Sequence, residues 1–591
     1  MFYVKESLKI ILMLMKAIFL GVAGVFMLSF SGCGNMPAID RLFNSSPQIV
    51  DTGSRYGSYL AGRFAGSMRD MRNAATFYER ALDHDPDNRV ILERAFLLEM
   101  ADGQFRKAAE LAERIVENDD KNRLARLVLG LQAFRQGAYA QAREHLEKAR
   151  NGPINTLVRN LVTAWSYAAE GQFDTALSVL DGASKTTSLP NVYVIHRAFL
   201  NDFAGRNEQA IADYIEALRI SNGRTSIIVQ GYGSLLARQG RVEEAARFYA
   251  DYLLQSVDDR VISAELRRID SGELPEPVIT SANRGVANAL FGPAAYLVGE
   301  RAIDLPIIYL QAALYVDPDF VAARILSADL FEASQRWEDA IEMFGHIPRD
   351  SIYYSSARIQ TAINFDRLDR TDEAIDIFEQ LIRRDPNNYD AMITMGDMLR
   401  MRSRFPEAID AYDRALTIAG PLDPEHWSLY YARGVALEQS DRWQEAEQDF
   451  LKSLEISPNQ SLTLNYLGYS WIDQGVKYDE AMKLINQAVE LSPGDGFIVD
   501  SLGWGYYKMG DYENAVIQLE RAVEMQPDDP TINDHLGDGY WHVGRRIEAR
   551  FQWRMALSME PEDDAVAEIA RKLEEGLDFS PSREAMSPAI P

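Results

Sequence analysis

Small and apolar residues recur along this chain at a spacing that suits paired helices. Ala74, Ala108, Ala142, Ala176 and Ala210 stand thirty-four residues apart and Ala245 follows after thirty-five; the series resumes at Ala340, Ala374 and Ala408 and runs on through Ala446, Ala481, Ala515 and Ala549. Around each alanine lies the pattern of a helical hairpin. Leu502, Gly503 and Tyr506 fall on one helix and Ala515, Leu519 and Ala522 on the next, with Pro527 closing the unit. Leu536, Gly537, Tyr540, Ala549, Trp553, Ala556 and Pro561 repeat it. Small residues let two helices approach, the large ones fill the space beside them, and proline stops the second helix because it has no amide donor. An aromatic residue precedes the alanine by three positions at Phe105, Tyr139, Phe173, Trp337, Phe405, Trp443, Tyr478 and Tyr512, and is read as opening the second helix.

This period and pattern resemble the tetratricopeptide repeat (TPR), and the resemblance implies an all-α superhelical solenoid of about fourteen hairpins in two blocks. The boundaries expected are 57–254 for the first block, 255–285 for an insert or hinge with Gly272, Pro275 and Pro277, and 286–561 for the second block. Pro306 takes the ladder position there and suits the start of a second helix. A capping helix is expected over 562–578 and a proline-bearing disordered tail over 579–591.

The start of the chain adds a location. Lys5, Lys9 and Lys16 precede an apolar run, Ala17 to Phe30, that ends in Ser31, Gly32 and Cys33. Fourteen apolar residues are too few to span a bilayer. The string resembles a lipoprotein signal peptide, 1–32, departing from the usual pattern at Phe30, where leucine is common. The resemblance implies lipidation at Cys33, the only cysteine in the protein, and a tether over 33–56. Gly34, in place of aspartate, implies the periplasmic face of the outer membrane. Met15 followed by Lys16 is an alternative start.

Charge narrows the partners. The formal net charge of -27 disfavours nucleic acid and suits solubility or a basic protein partner. Motifs for phosphate, zinc or nucleophilic chemistry are missing, so the expectation is a non-enzyme without cofactor or metal. His535, Asp538 and His542 share a helical face, but helix-surface residues describe them better than metal ligands.

In TPR solenoids the first helix of each hairpin lines the groove. Carried onto this chain, the resemblance implies a partner-binding groove built from Asn465, Asp500 and Asp534; Tyr469, Trp504 and Asp538; Tyr507 and Trp541 beside Ile472; and Asp473, Lys508 and His542. The lysine columns of a chaperone-tail carboxylate clamp are missing. The strings Asn465–Gly475, Gly496–Val516 and Pro530–Leu557 are similar to long repeat lipoproteins of Gram-negative bacteria, among them LbcA-type adaptors of periplasmic carboxyl-terminal processing proteases. That likeness implies a membrane-anchored scaffold bringing such a protease and cell-wall hydrolases together, with the two blocks gripping different proteins. The alternative is an assembly or pilotin-like lipoprotein of a secretion or polysaccharide-export machine.

Overall fold

The computed structural model describes residues 55–577 apart from 69, 186–189, 223–224, 299–303 and 420–425. The expected signal peptide, Cys33, nearly all of the expected tether and the expected tail lie outside the described residues. Among the described residues there are thirty helices, and none is long and apolar enough to cross a membrane.

The hairpins form for the reason the spacing gives. Every alanine of the ladder, from Ala74 to Ala549, is fully buried. In many of the repeats the large residue four positions later lies over a glycine of the facing helix: a Cβ on Gly537 would come within 2.4 Å of the Trp553 ring, and one on Gly396 within 2.5 Å of Tyr412. Only hydrogen at these positions lets the two helices meet. Each aromatic of the turn series is the first residue of its helix, as at Phe105–Asn118, Trp337–Gly345 and Tyr512–Met525. Side-chain caps hold several helix starts, with Asn88, Asn122, Asn388 and Asp529 each accepting from a first-turn amide.

The described residues divide into two compact units, one ending at Ile377 and the other starting at Phe378. This differs from the division expected at the insert, and the first unit shows why. Six hairpins run from Arg55–Ser67 to Val242–Leu253. Part of the expected insert is a helix, Arg260–Asp270, which packs on both helices of the sixth hairpin and extends the stack by one element. The next two helices, Ala282–Leu297 and Asp304–Val316, pair with each other and then cross back over the second to fifth hairpins, touching the first helices Arg89–Ala101, Arg123–Arg135, Pro153–Ala169 and Pro190–Phe203. They cover the face that lines the groove in a repeat of this kind.

The seating of this returning hairpin is specific. A Cβ on Gly285 would lie 2.3 Å from Trp165, whose indole donates to His196 Nδ1 at 3.1 Å. Burial pushes the His196 pKa down to about 3, so the ring is neutral and can accept that bond. Tyr315 stacks on Phe105 at 4.3 Å and 9°, with the Arg135 guanidinium 4.5 Å from its ring centre. Asp304–Val316 is apolar on nearly every side, with ten of its residues buried. Pro306 sits in its first turn, where the missing amide costs nothing.

Candidate functional site

In the second unit the first helices Ser461–Asp473, Gly496–Lys508 and Pro530–His542 succeed one another at the repeat spacing, so equivalent positions form columns. Asp495 caps the second of these through the amides of Phe497 and Ile498. The centre of the face is Trp504. Its ring lies flat between Tyr507 (4.7 Å, 9°) and His535 (3.9 Å, 14°). Lys508 Nζ stands 5.1 Å from the centre of the Trp504 ring and 3.4 Å from the Asp473 carboxylate. Beside them Tyr512 stacks on His542 at 4.2 Å, and both meet Tyr507 edge-on. Ring pairs in these geometries are worth about 0.5–1.5 kcal/mol beyond the area they bury, so the platform is stiff.

Beneath it runs a line of buried charge. His535 Nδ1 is 3.0 Å from Asp500 Oδ2. Burial opposes a proton on His535, but the charge and hydrogen bond of Asp500, with Asp534 and Asp538 adding, outweigh it and raise the pKa. Lys572, on the terminal helix Asp563–Glu575, reaches Asp534 at 2.7 Å and Asp538 at 2.9 Å. Trp553 donates to Asp538 at 2.9 Å. Burial, and then Asp534, push Asp538 up to about 6 against the pull of Lys572. Tyr469 is raised to about 12 by burial and by Asp473 and Asp500.

The residues expected in the groove therefore separate into three groups. Trp504, Tyr507, Lys508, Asp473 and His542 form the connected platform. Asn465 and Tyr469 are half-buried on the neighbouring first helix, and Asp534 is half-buried and held by Lys572. Three others do not face a groove. Asp500 and Asp538 are 6% and 4% exposed and serve as internal counter-ions to His535 and Lys572. Trp541 is 5% exposed, packs at 5.4 Å on Trp553, and lies so close to Gly576 that a Cβ there would overlap it. Its size and its place in the column suggested a ligand contact; the terminal helix consumes it instead.

His535, Tyr512 and Lys572 were not among the residues expected in the groove. Lys572 was within reach of the sequence, since it falls thirty-four residues after Asp538. His535, Asp538 and His542 go to separate partners, and among the described residues no three His, Cys, Asp or Glu side chains gather in a way that could hold a metal ion.

One further property marks the face. Among the described residues of the second unit, the buried side-chain polar atoms without a hydrogen-bond partner are Asn465 Oδ1, Trp504 Nε1, Gln518 Oε1 and Asp534 Oδ1. Three of these four belong to the first-helix columns. Such atoms are uncommon in folded proteins, and each costs about 1–3 kcal/mol.

Comparison with known proteins agrees with this architecture. A tetratricopeptide repeat profile matches residues 93–154, 203–259 and 360–424, and two others match 427–460 and 501–529. Over these segments the hairpins are tetratricopeptide repeats. A TPR repeat-containing protein of Pseudomonas aeruginosa is 33% identical over 92 residues, a match spanning 16% of this chain and 16% of that relative. Among solved structures, a tetratricopeptide repeat protein from Parabacteroides merdae is 18% identical, with 43% of this chain and 98% of that one covered and a TM-score of 0.36. The APC/C hetero-tetramer Cut9–Hcn1 is 15% identical over 91% of this chain and 98% of that one, at 0.36. YrrB, described as a TPR protein with an unusual peptide-binding site, is 20% identical over 33% and 97%, at 0.26. TPR folds bind proteins or peptides and are typically non-catalytic interaction modules.

Proposed function

We propose that this protein is a lipid-anchored TPR scaffold on the periplasmic face of the outer membrane. In this reading it holds a protein segment on the first-helix face around Trp504, and it serves as an adaptor that brings a periplasmic processing protease and its substrates together. The observation that carries the binding site is the aromatic platform of Trp504, Tyr507, Tyr512 and His542, bordered by the exposed Asp473 and Lys508. Rigid rings give a peptide contact area at low entropic cost, and the two exposed charges set its register. In the first block the equivalent face of the second to fifth hairpins is covered by helices Ala282–Leu297 and Asp304–Val316, which favours the second unit as the partner surface. A second grip, which an adaptor needs, would then use outer helix faces instead of a second groove. The acidic chain favours a basic partner, with binding that weakens as salt rises.

The test is a crosslinked pull-down from envelope membranes with the lipidated protein as bait, read by mass spectrometry. It is run beside Trp504→Ala/Tyr507→Ala and beside Lys508→Glu, which leaves the ring stack in place. Recovery of a processing protease with cell-wall hydrolases, lost in both variants while helicity is kept, supports the adaptor. Recovery of secretion or export components without a protease moves the reading to an assembly lipoprotein. Equal recovery with wild type and variants refutes the site.

A further inference from the structure

The first described helix, Arg55–Ser67, carries an unusual face. Tyr56, Leu60 and Phe64 recur every fourth residue and are 74%, 60% and 68% exposed, and Met68 just beyond the helix continues the line at 67%. The opposite side packs normally: Tyr59 meets Tyr78 edge-on at 5.9 Å, and a Cβ on Gly62 would touch the same ring at 2.8 Å. The exposed stripe is therefore not the hairpin's own contact surface. A terminal repeat ordinarily turns a polar face outward, and this one does not.

Two features say what covers it. The first is charge. Residues 55–80 hold Arg55, Arg63, Arg69, Arg72 and Arg80 against only Asp70 and Glu79; Arg72 pairs with Asp102 and Glu342, and the stretch stays basic without it, in a chain whose net charge is -27. Arg63 is exposed beside Leu60 and Phe64, so a cation borders the stripe. The second is position. The helix begins about 22 residues after Cys33, so an anchor there would keep it close to the lipid.

Resting on the lipid-anchored reading above, we infer that this helix face docks onto the phospholipid surface that holds the anchor. Its apolar residues enter the headgroup boundary, and the basic flank meets anionic headgroups. An apolar stripe with basic flanks is the composition of helices that lie in a membrane interface. The anchor raises the effective concentration of lipid at the helix, so a contact too weak to recruit a free protein suffices to orient a tethered one. The solenoid is then held end-on at its first hairpin.

The test uses the full lipidated chain in vesicles of phosphatidylethanolamine and phosphatidylglycerol. The lipid consumes the only natural thiol, so Leu60→Cys or Leu254→Cys supplies a single site for an environment-sensitive dye; Leu254 is 80% exposed far along the chain. A quencher carried on the lipid tails should reduce emission of the dye at position 60 several-fold more than at 254. Adding Tyr56→Ser and Phe64→Ser, both exposed and so harmless to the core, should abolish the difference. Equal quenching at the two positions overturns the inference. A blue-shifted, unquenched dye at position 60 also overturns it, assigning the stripe to a second copy if the shift depends on protein concentration and to another part of this chain if it does not. Mass spectrometry separates the two readings: an unmodified Cys33 refutes the anchor itself, whereas a lipidated Cys33 without quenching refutes only the docking.

Discussion

The returning hairpin makes a prediction whose sign reverses within one helix. Helix Ala282–Leu297 contains Gly285 and Gly292. In a helix interior, replacing glycine by alanine gains about 1 kcal/mol from the backbone alone. At Gly292 nothing beyond its chain neighbours lies within 4 Å of the added Cβ, but the Pro293 ring crowds the Cβ of the residue before it, so Gly292→Ala should keep only part of that gain. At Gly285 the Cβ would sit 2.3, 2.4 and 2.5 Å from three atoms of the Trp165 ring. Carbon pairs prefer about 3.5–4.0 Å, so something must move by more than an ångström. The ring has no room to yield, because Trp165 is fully buried and tied to His196. Overpacking of this kind costs about 1–3 kcal/mol or more, which exceeds the backbone gain. We therefore expect Gly285→Ala to loosen the returning hairpin by about 1–2 kcal/mol net, while Gly292→Ala tightens it by up to about 1 kcal/mol. Global melting is a poor readout, since repeat stacks open in parts. Hydrogen exchange of the amides in 282–316 is a better one. Exchange should speed about 5–30-fold in the first variant and slow in the second. Slower exchange in both would mean that the helix does not rest on Trp165, and would sink the account of a covered face.

Single contacts give further expectations. The raised pKa of His535 gives a stabilisation that is complete below the ordinary histidine value of about 6.5 and is lost as pH climbs through the raised folded value, so stability of the last repeats should fall as pH rises above about 6.5. Asp500→Asn should flatten that slope in a melting series, and an unchanged slope would remove Asp500 as its cause. Ala515→Leu should cost about 1–3 kcal/mol, because Ala515 is fully buried where two helices touch; unaltered unfolding would show a wrong register. Gln335 occupies the left-handed region at φ 59°, at a hairpin turn where several other hairpins place glycine, so Gln335→Gly should stabilise by up to about 1 kcal/mol in denaturant unfolding.

The ladder could be read from the chain because helix contact at a small residue is a backbone matter, repeated identically from Ala74 to Ala549. The turn aromatics were legible for the same reason. The path of the chain after the sixth hairpin was not. Residues 282–316 share the composition of any repeat, and their apolar surface was absorbed into a uniform stack. The available clue was Asp304–Val316, apolar almost all round, which implies burial on more sides than an ordinary repeat offers. The candidate site was half legible. Column positions located Trp504, Tyr507 and Lys508, but burial depends on which element packs alongside, and the terminal helix takes Trp541 and Asp538 out of the face through Gly576 and Lys572.

The covered face also decides where this protein can be cut. The sequence invites a fragment ending near 254, after the sixth hairpin. Such a piece would leave Trp165, Phe105 and their neighbours bare and would be expected to clump. A soluble amino-terminal fragment has to extend past Val316, so that it keeps the hairpin that shields them.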